Sequence, residues 1–301
     1  MRAIAAPASL KGVLPALAAA DALADGLRAG GAEAVAVPVA DGGDGTLEVL
    51  ERALGGDWRE TAVAAPLGGT VQARWLLVPS DKVSQGRTAV VESAQALGFH
   101  TVSRLDPLRA SSRGLGELVV AAAREAEELL ACLGGTVTVD GGAGMREVLD
   151  ELPLPTRVAC DVRSPLLDAA YVFARQKGAA QEQLDALAER LRGLPDVPGA
   201  GAAGGLGGAF ATLGAELVPG AELVLNEIGF DPRGYDLVVT GEGAVDETTW
   251  AGKAPGEVVR RCREAGVHCE LFSARDDFSG DPARSRDDLV ALGERLAREV
   301  A

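Results

Sequence analysis

The spacing of apolar positions changes period several times along the chain, and each change predicts an element. Ala3 to Ala6 is a short apolar run, Leu17, Ala20, Ala24 and Leu27 recur at helical spacing, and Val35, Val37 and Val39 alternate as in a strand. Gly30-Gly31 closes the helix, so residues 1 to 54 read as a β-α-β-α unit of a parallel sheet. From Trp58 to Glu92 the runs Thr61 to Ala64, Thr70 to Val78 and Thr88 to Glu92 are separated by Gly68-Gly69 and Ser84-Gln85-Gly86. That is a meander, and it predicts a second domain inserted into the first. Ser111 or Ser112 is placed to cap a helix carrying Leu115, Leu118, Val119 and Ala122. Val137 to Val139 and Val158 to Asp161 read as strands, and Leu184, Leu187, Leu191 and Leu194 as an amphipathic helix. Asp236 to Thr240 is the clearest buried strand, and a helix with Asp288 in its first turn starts at Ser285. These elements predict an α/β protein whose first domain takes residues 1–57 and 230–301 and whose second takes 58–229.

Two copies of one pattern stand out among the loops: Asp41-Gly42-Gly43-Asp44-Gly45 and Asp140-Gly141-Gly142-Ala143-Gly144. Each follows a β-branched run and leads into a helix-like stretch containing Glu-Val-Leu. An acid, then glycines, then a helix start is a place where backbone N–H groups can cradle an anion.

Composition narrows the partners. A chain of 301 residues with 47% hydrophobic and 24% charged residues can bury a core in two domains. A formal charge of −15 argues against nucleic acid, whose phosphates need clustered Lys and Arg. Lys11, Pro15 and Asp21 interrupt the apolar N-terminal stretch, which argues against a signal peptide, and no window is apolar over the roughly 18 residues of a membrane span. Cys132, Cys160, Cys262 and Cys269 are scattered, so neither a zinc site nor a disulfide framework is indicated, and a cytoplasmic protein is expected. Lysine is the informative basic residue. Of 29 basic side chains only Lys11, Lys82, Lys177 and Lys253 are lysines, and all but Lys82 adjoin a glycine. A compact ammonium beside flexible backbone suits a phosphate or carboxylate site, where arginine does not substitute freely.

Four acid-bearing loops are expected at strand ends: Asp41 with Asp44, Asp140, Asp161, and Glu242 with Asp246. With the lysines they supply what phosphoryl transfer needs. Lysines and N–H groups neutralise nucleotide phosphates, carboxylates hold Mg²⁺, and one carboxylate accepts the proton of the attacking hydroxyl. Other chemistries fit less well. His100 and His268 are the only histidines and neither adjoins a nucleophile motif. Gly199-Ala-Gly201-Ala-Ala-Gly204 matches a dinucleotide fingerprint in spacing, but Pro195 and Pro198 precede it where a strand is required. Gly252-Lys253 lacks the upstream glycine and the following Ser or Thr of a Walker loop.

Taken in order, the motifs resemble the type I bacterial glycerate kinases. The resemblance runs through Ala6-Pro7-Ala8-Ser9-Leu10-Lys11-Gly12, Ala40 to Thr46, Gly114 to Leu118, and Leu133-Gly134-Gly135-Thr136 through Met145. It continues through Ala159-Cys160-Asp161-Val162, Gln176-Lys177-Gly178-Ala179, Gly201 to Gly207, and Asp236 to Gly243 with Asp246, Gly252 and Lys253. It implies a Rossmann-like parallel-sheet domain, a second α/β domain with a mixed sheet, and a substrate cleft between them. It also implies ATP with Mg²⁺ as phosphoryl donor, D-glycerate as acceptor and 2-phosphoglycerate as usual product; apart from the resemblance, a monomer or homodimer with no membrane partner is expected.

Carried onto these residues, the resemblance makes Asp41 the candidate base and Lys11 and Lys253 its catalytic companions. Ser9, Gly42, Gly43, Thr46, Gly134, Gly135, Thr136, Gly141, Gly142, Lys177, Gly241 and Gly243 are candidates for substrate or phosphate contacts, and Asp140, Asp161, Glu242 and Asp246 for metal. Ala8, Val13, Val139, Ser164 and Thr248 depart from the family pattern; Ala8, for example, stands where Asp is usual. A homologue that binds a nucleotide or sugar acid without transferring phosphate, and a kinase for another small hydroxy acid, remain open readings on these residues.

Overall fold

Among the residues described by the computed structural model, 1–79 and 86–300, the strands form two sheets. In chain order they are β1 Arg2–Ala5, β2 Glu33–Ala36, β3 Asp57–Ala64, β4 Thr70–Val78, β5 Thr88–Glu92, β6 Glu128–Leu133, β7 Thr156–Cys160, β8 Glu216–Pro219, β9 Leu237–Glu242 and β10 His268–Ser273. The expected break at Ser84-Gln85, and Lys82, lie outside the described residues. The chain forms two compact units, Met1–Ala40 with Val224–Ala301, and Asp41–Leu223.

The first unit holds a parallel sheet in the order β10-β9-β1-β2. Every residue of β9 is buried, as expected of a strand covered on both faces. Leu23 and Leu27 from the helix Ala16–Ala29, Leu289 from the helix Ser285–Val300, and Leu237 and Val239 from β9 share one core. Those two helices cross closely enough that a Cβ on Gly26 would overlap the carbonyl oxygen of Val290. Gly26→Val is therefore expected to cost about 3 kcal/mol, read as a lower midpoint in chemical denaturation.

The second unit holds a six-stranded mixed sheet, β3-β4-β5-β6-β7-β8. β3, β4 and β5 pair antiparallel as the expected meander, and β5 to β8 are parallel. Trp75, Leu97, Leu115, Leu118 and Phe210 fill its main core.

Several expectations shift locally. The strand read through Val39 stops at Ala36: Val37 and Val39 still donate to the Ala5 and Pro7 carbonyls, but Pro7 has no N–H to return to the ladder. Val137 to Val139 is not a strand. Gly135, at φ +64°, turns the chain out of the sheet after β6, and Val137 N–H then goes to the Leu97 carbonyl. The helix after Gly142 lasts only from Ala143 to Arg146. Ser112 does occupy the N-cap position of the helix Arg113–Ala122, but its side chain makes no capping bond. No helix among the described residues is long and apolar enough to cross a membrane.

Candidate active-site residues

In the first unit, two loops leave the carboxyl ends of the neighbouring strands β1 and β9, where parallel sheets bind ligands. Thr240 Oγ1 donates to the Ala6 carbonyl at 2.6 Å and Ala8 N–H to the Gly241 carbonyl at 2.9 Å, tying the loops together. A Cβ on Gly243 would stand 3.6 Å from the backbone nitrogen of Lys11, so the loop carrying Ser9 and Lys11 passes beside Gly241-Glu242-Gly243. Buried Glu242 accepts from Thr249 Oγ1 at 2.6 Å and pairs with Lys253 Nζ at 3.2 Å. Lys253 occupies the N-cap position of the helix Ala254–Ala265. Asp246 Oδ1 accepts from both the N–H and the hydroxyl of Thr248, at 2.8 and 2.5 Å, which holds its carboxyl below the usual range.

In the second unit the two Asp-Gly-Gly loops differ. Asp140 is 6% exposed, and its Oδ2 accepts from Ser112 N–H at 2.8 Å, Ser112 Oγ at 2.8 Å and Gly144 N–H at 3.1 Å. Its Oδ1 accepts from Gly142 N–H at 3.1 Å, and Gly141 N–H is taken by the Gly204 carbonyl. The anion held by the second loop is the chain's own Asp140.

Asp41 is half-buried, with one bond, from Gly43 N–H to Oδ1 at 3.2 Å. Its loop lies against those following β6 and β7. A Cβ on Gly43 would stand 3.2 Å from Asp41 Oδ1 and 3.9 Å from Asp161 Oδ2, and one on Gly134 would stand 2.6 Å from both Asp161 Oδ2 and Gly43 Cα. Both carboxylates thus border the backbone of Gly43, and Asp161 borders that of Gly134 as well. Thr46 Oγ1 donates to the Gly43 carbonyl at 2.6 Å and braces the loop from its far side.

Lys177 is 4% exposed, and its Nζ donates to Thr136 Oγ1 at 3.2 Å and the Thr138 carbonyl at 2.9 Å. Burial pulls its ammonium down to about 8, against the opposing pull of Asp161 and Asp140. Lys177 therefore grips the irregular segment between Gly134-Gly135 and Asp140.

Sequence reasoning placed Ser112 only as a helix cap, not as the partner of Asp140, and missed Ser93 and Glu92. Glu92 is fully buried and takes the N–H groups of Gly45 and Leu47, at 3.3 and 3.2 Å. The available signal was a lone acid closing the apolar run Thr88-Ala89-Val90-Val91. Burial, with Asp44 and Glu48 nearby and against the bonds from Leu47 and Gly45, pushes its carboxyl up to about 8 from an ordinary 4.5. The folded chain thus keeps a proton that the unfolded chain releases above pH 4.5, and Glu92's contribution to stability falls as pH rises toward 8. Wild type is expected to lose thermal stability relative to Glu92→Gln between about pH 5 and 8.5, as paired melting curves would show.

Among the described residues no cluster of three or more His, Cys, Asp or Glu side chains is arranged to hold a metal. Asp140 and Glu242 have both oxygens engaged by the donors named above. The half-buried Asp161, which with Asp41 borders the Gly43 backbone, suits a cation that takes one or two carboxylates and completes its shell with water and substrate phosphate, the habit of Mg²⁺.

The sequence model of the glycerate kinase family matches residues 3–151 and 152–279. A glycerate kinase of Bacillus subtilis strain 168 is 38% identical over 89% of this chain and 83% of its own. A glycerate 2-kinase of Escherichia coli K12 is 36% identical over 85% of this chain and 80% of its own. A solved structure provisionally designated glycerate kinase 2 from Salmonella typhimurium LT2 superposes with a TM-score of 0.79 at 29% identity, covering 99% of this chain and 98% of that one. With both halves matched by one family model and its relatives aligned along most of their length, the chain belongs to the glycerate kinase family.

Proposed function

We propose that the protein transfers the γ-phosphoryl group of ATP to a hydroxyl of D-glycerate, giving 2-phosphoglycerate. The observation that carries this reading is the placement of half-buried Asp41 and Asp161 against the backbone of Gly43, with Asp161 also bordering Gly134. Asp41 has one intraloop bond, on Oδ1, so lone pairs remain for the acceptor hydroxyl, and it takes that proton as the oxygen attacks. Asp161 would hold Mg²⁺, which when bound would neutralise charge on the transferring group. Lys11 and Lys253, with Ser9 and the N–H groups near Gly241 and Gly243, meet phosphate or the substrate carboxylate; Lys253 is held ready by Glu242. The Gly134-Gly135-Thr136 segment, gripped by Lys177, supplies a rigid wall to the acceptor side. Phosphorylation at the 2-hydroxyl is favoured by the name of the Escherichia coli relative.

The test is a coupled ADP-release assay with D-glycerate and Mg²⁺-ATP, with the product identified by phosphorus NMR. Turnover of about 1 per second or faster, yielding 2-phosphoglycerate, supports the reading. Binding of ATP and glycerate without ADP release overturns it in favour of a homologue that binds without catalysis, and release with a different hydroxy acid alone reassigns the acceptor.

A further inference from the structure

Glu92 and Ser93 are consecutive residues at the end of β5, yet they hold different loops. The helix Thr46–Leu54 has Gly45 in its N-cap position and no side chain of its own to cap its first turn. Glu92 supplies that cap from another strand, with Oε1 on Gly45 N–H and Oε2 on Leu47 N–H. Ser93 Oγ donates to the Gly134 carbonyl at 2.9 Å and accepts from Gly134 N–H at 3.0 Å. The loops so held also touch: a Cβ on Gly135 would stand 3.3 Å from the Cβ of Asp44. β5 lies between β4 and β6, and Glu92 itself pairs with Cys132 of β6, so Glu92 is anchored in the sheet and Ser93 opens the helix Ser93–Leu97 that follows it.

We propose that Glu92 is a positioning residue for phosphoryl transfer: its two bonds dock the Asp41–Gly45 loop onto the end of β5 and so set where Asp41 stands relative to Asp161 and the Gly134-Gly135 wall. The effect on rate rests on the kinase reading above, whereas the effect on the loop does not. Glu92 never touches substrate in this role. It acts through the loop backbone, and truncating it leaves two N–H groups at a helix start without their acceptor, that of Leu47 buried and that of Gly45 partly so. The acids facing it, Asp44 from the loop and Glu48 from the helix, repel a charge there.

The experiment combines steady-state kinetics with amide hydrogen exchange on wild type, Glu92→Ala and the near-isosteric Glu92→Gln. In Glu92→Ala the amides of residues 43–47 are expected to exchange about tenfold faster or more, while those of β5 and β6 change little. kcat is expected to fall about 100-fold with KM for ATP within about threefold, since loop placement matters to the reacting atoms more than to nucleotide binding. Glu92→Gln, which keeps the shape and one acceptor, is expected to restore kcat to within about tenfold of wild type. Wild-type exchange at residues 43–47 in Glu92→Ala overturns the proposal. So does acceleration spread evenly over the sheet, which would mean general destabilisation. If Glu92→Ala does not fold, Glu92→Gln is judged on the same two readouts, with partial acceleration confined to 43–47 in support and none against. If wild type turns over no glycerate, the kinase reading has failed, and the exchange pattern alone decides the docking role.

Discussion

Asp41→Asn is expected to lower kcat by about 10²- to 10⁴-fold while leaving the fold intact. The asparagine side chain keeps an oxygen where Oδ1 accepts the Gly43 N–H, so the turn of the loop should persist. It loses the basicity needed to take a proton from the acceptor hydroxyl. Because the carboxylate is half-buried with a single intraloop bond, the substitution leaves no buried donor stranded, and thermal stability should move by no more than about 1 kcal/mol. The measurement is the ADP-release assay beside a melting curve. A rate equal to wild type would remove Asp41 from the mechanism and move attention to Asp161.

The same aspartate in the second loop should behave in the opposite way. Asp140→Ala is expected to cost about 3–5 kcal/mol, because it strips the acceptor from three buried backbone N–H groups, of Ser112, Gly142 and Gly144, and from the Ser112 hydroxyl. Ser112 Oγ also accepts the Met145 N–H at 3.0 Å, so the loss loosens the start of the short helix Ala143–Arg146. Urea denaturation should show the lower midpoint with an unchanged slope. A loss of activity without a loss of stability would count against this structural assignment and return Asp140 to the candidate metal ligands.

Much of the architecture was legible because it rests on local period. The all-apolar run of β9, the Leu289, Leu292 and Leu296 stripe of the last helix, and the meander of β3 to β5 each follow from spacing that any partner would have to respect. Val137 to Val139 misled for a related reason. β-branching reports a preference for extended, buried backbone, and these residues are buried, but their hydrogen bonds go to the Leu97 carbonyl at the end of the helix Ser93–Leu97 and to a lysine instead of a neighbouring strand. The candidate site was legible by residue type and illegible by role. Asp140 and Lys177 were visible as an acid and a base beside glycines, yet their chain-distant partners, Ser112 for one and Thr136 for the other, decide what they do. Thr248 shows the same at short range: read from the sequence as a departure from the expected pattern, it places its N–H and hydroxyl on Asp246.

The sequence by itself determined that two Asp-Gly-Gly turns would occur in an α/β chain with few lysines, since glycine, aspartate and apolar period act within a few residues. Only the tertiary structure decided that one turn encloses its own aspartate while the other lays Asp41 open beside Asp161 and is capped by Glu92. The physical reason is that a carboxylate's role depends on which donors reach it and how much water remains. Both are settled by strands and loops brought together from distant parts of the chain.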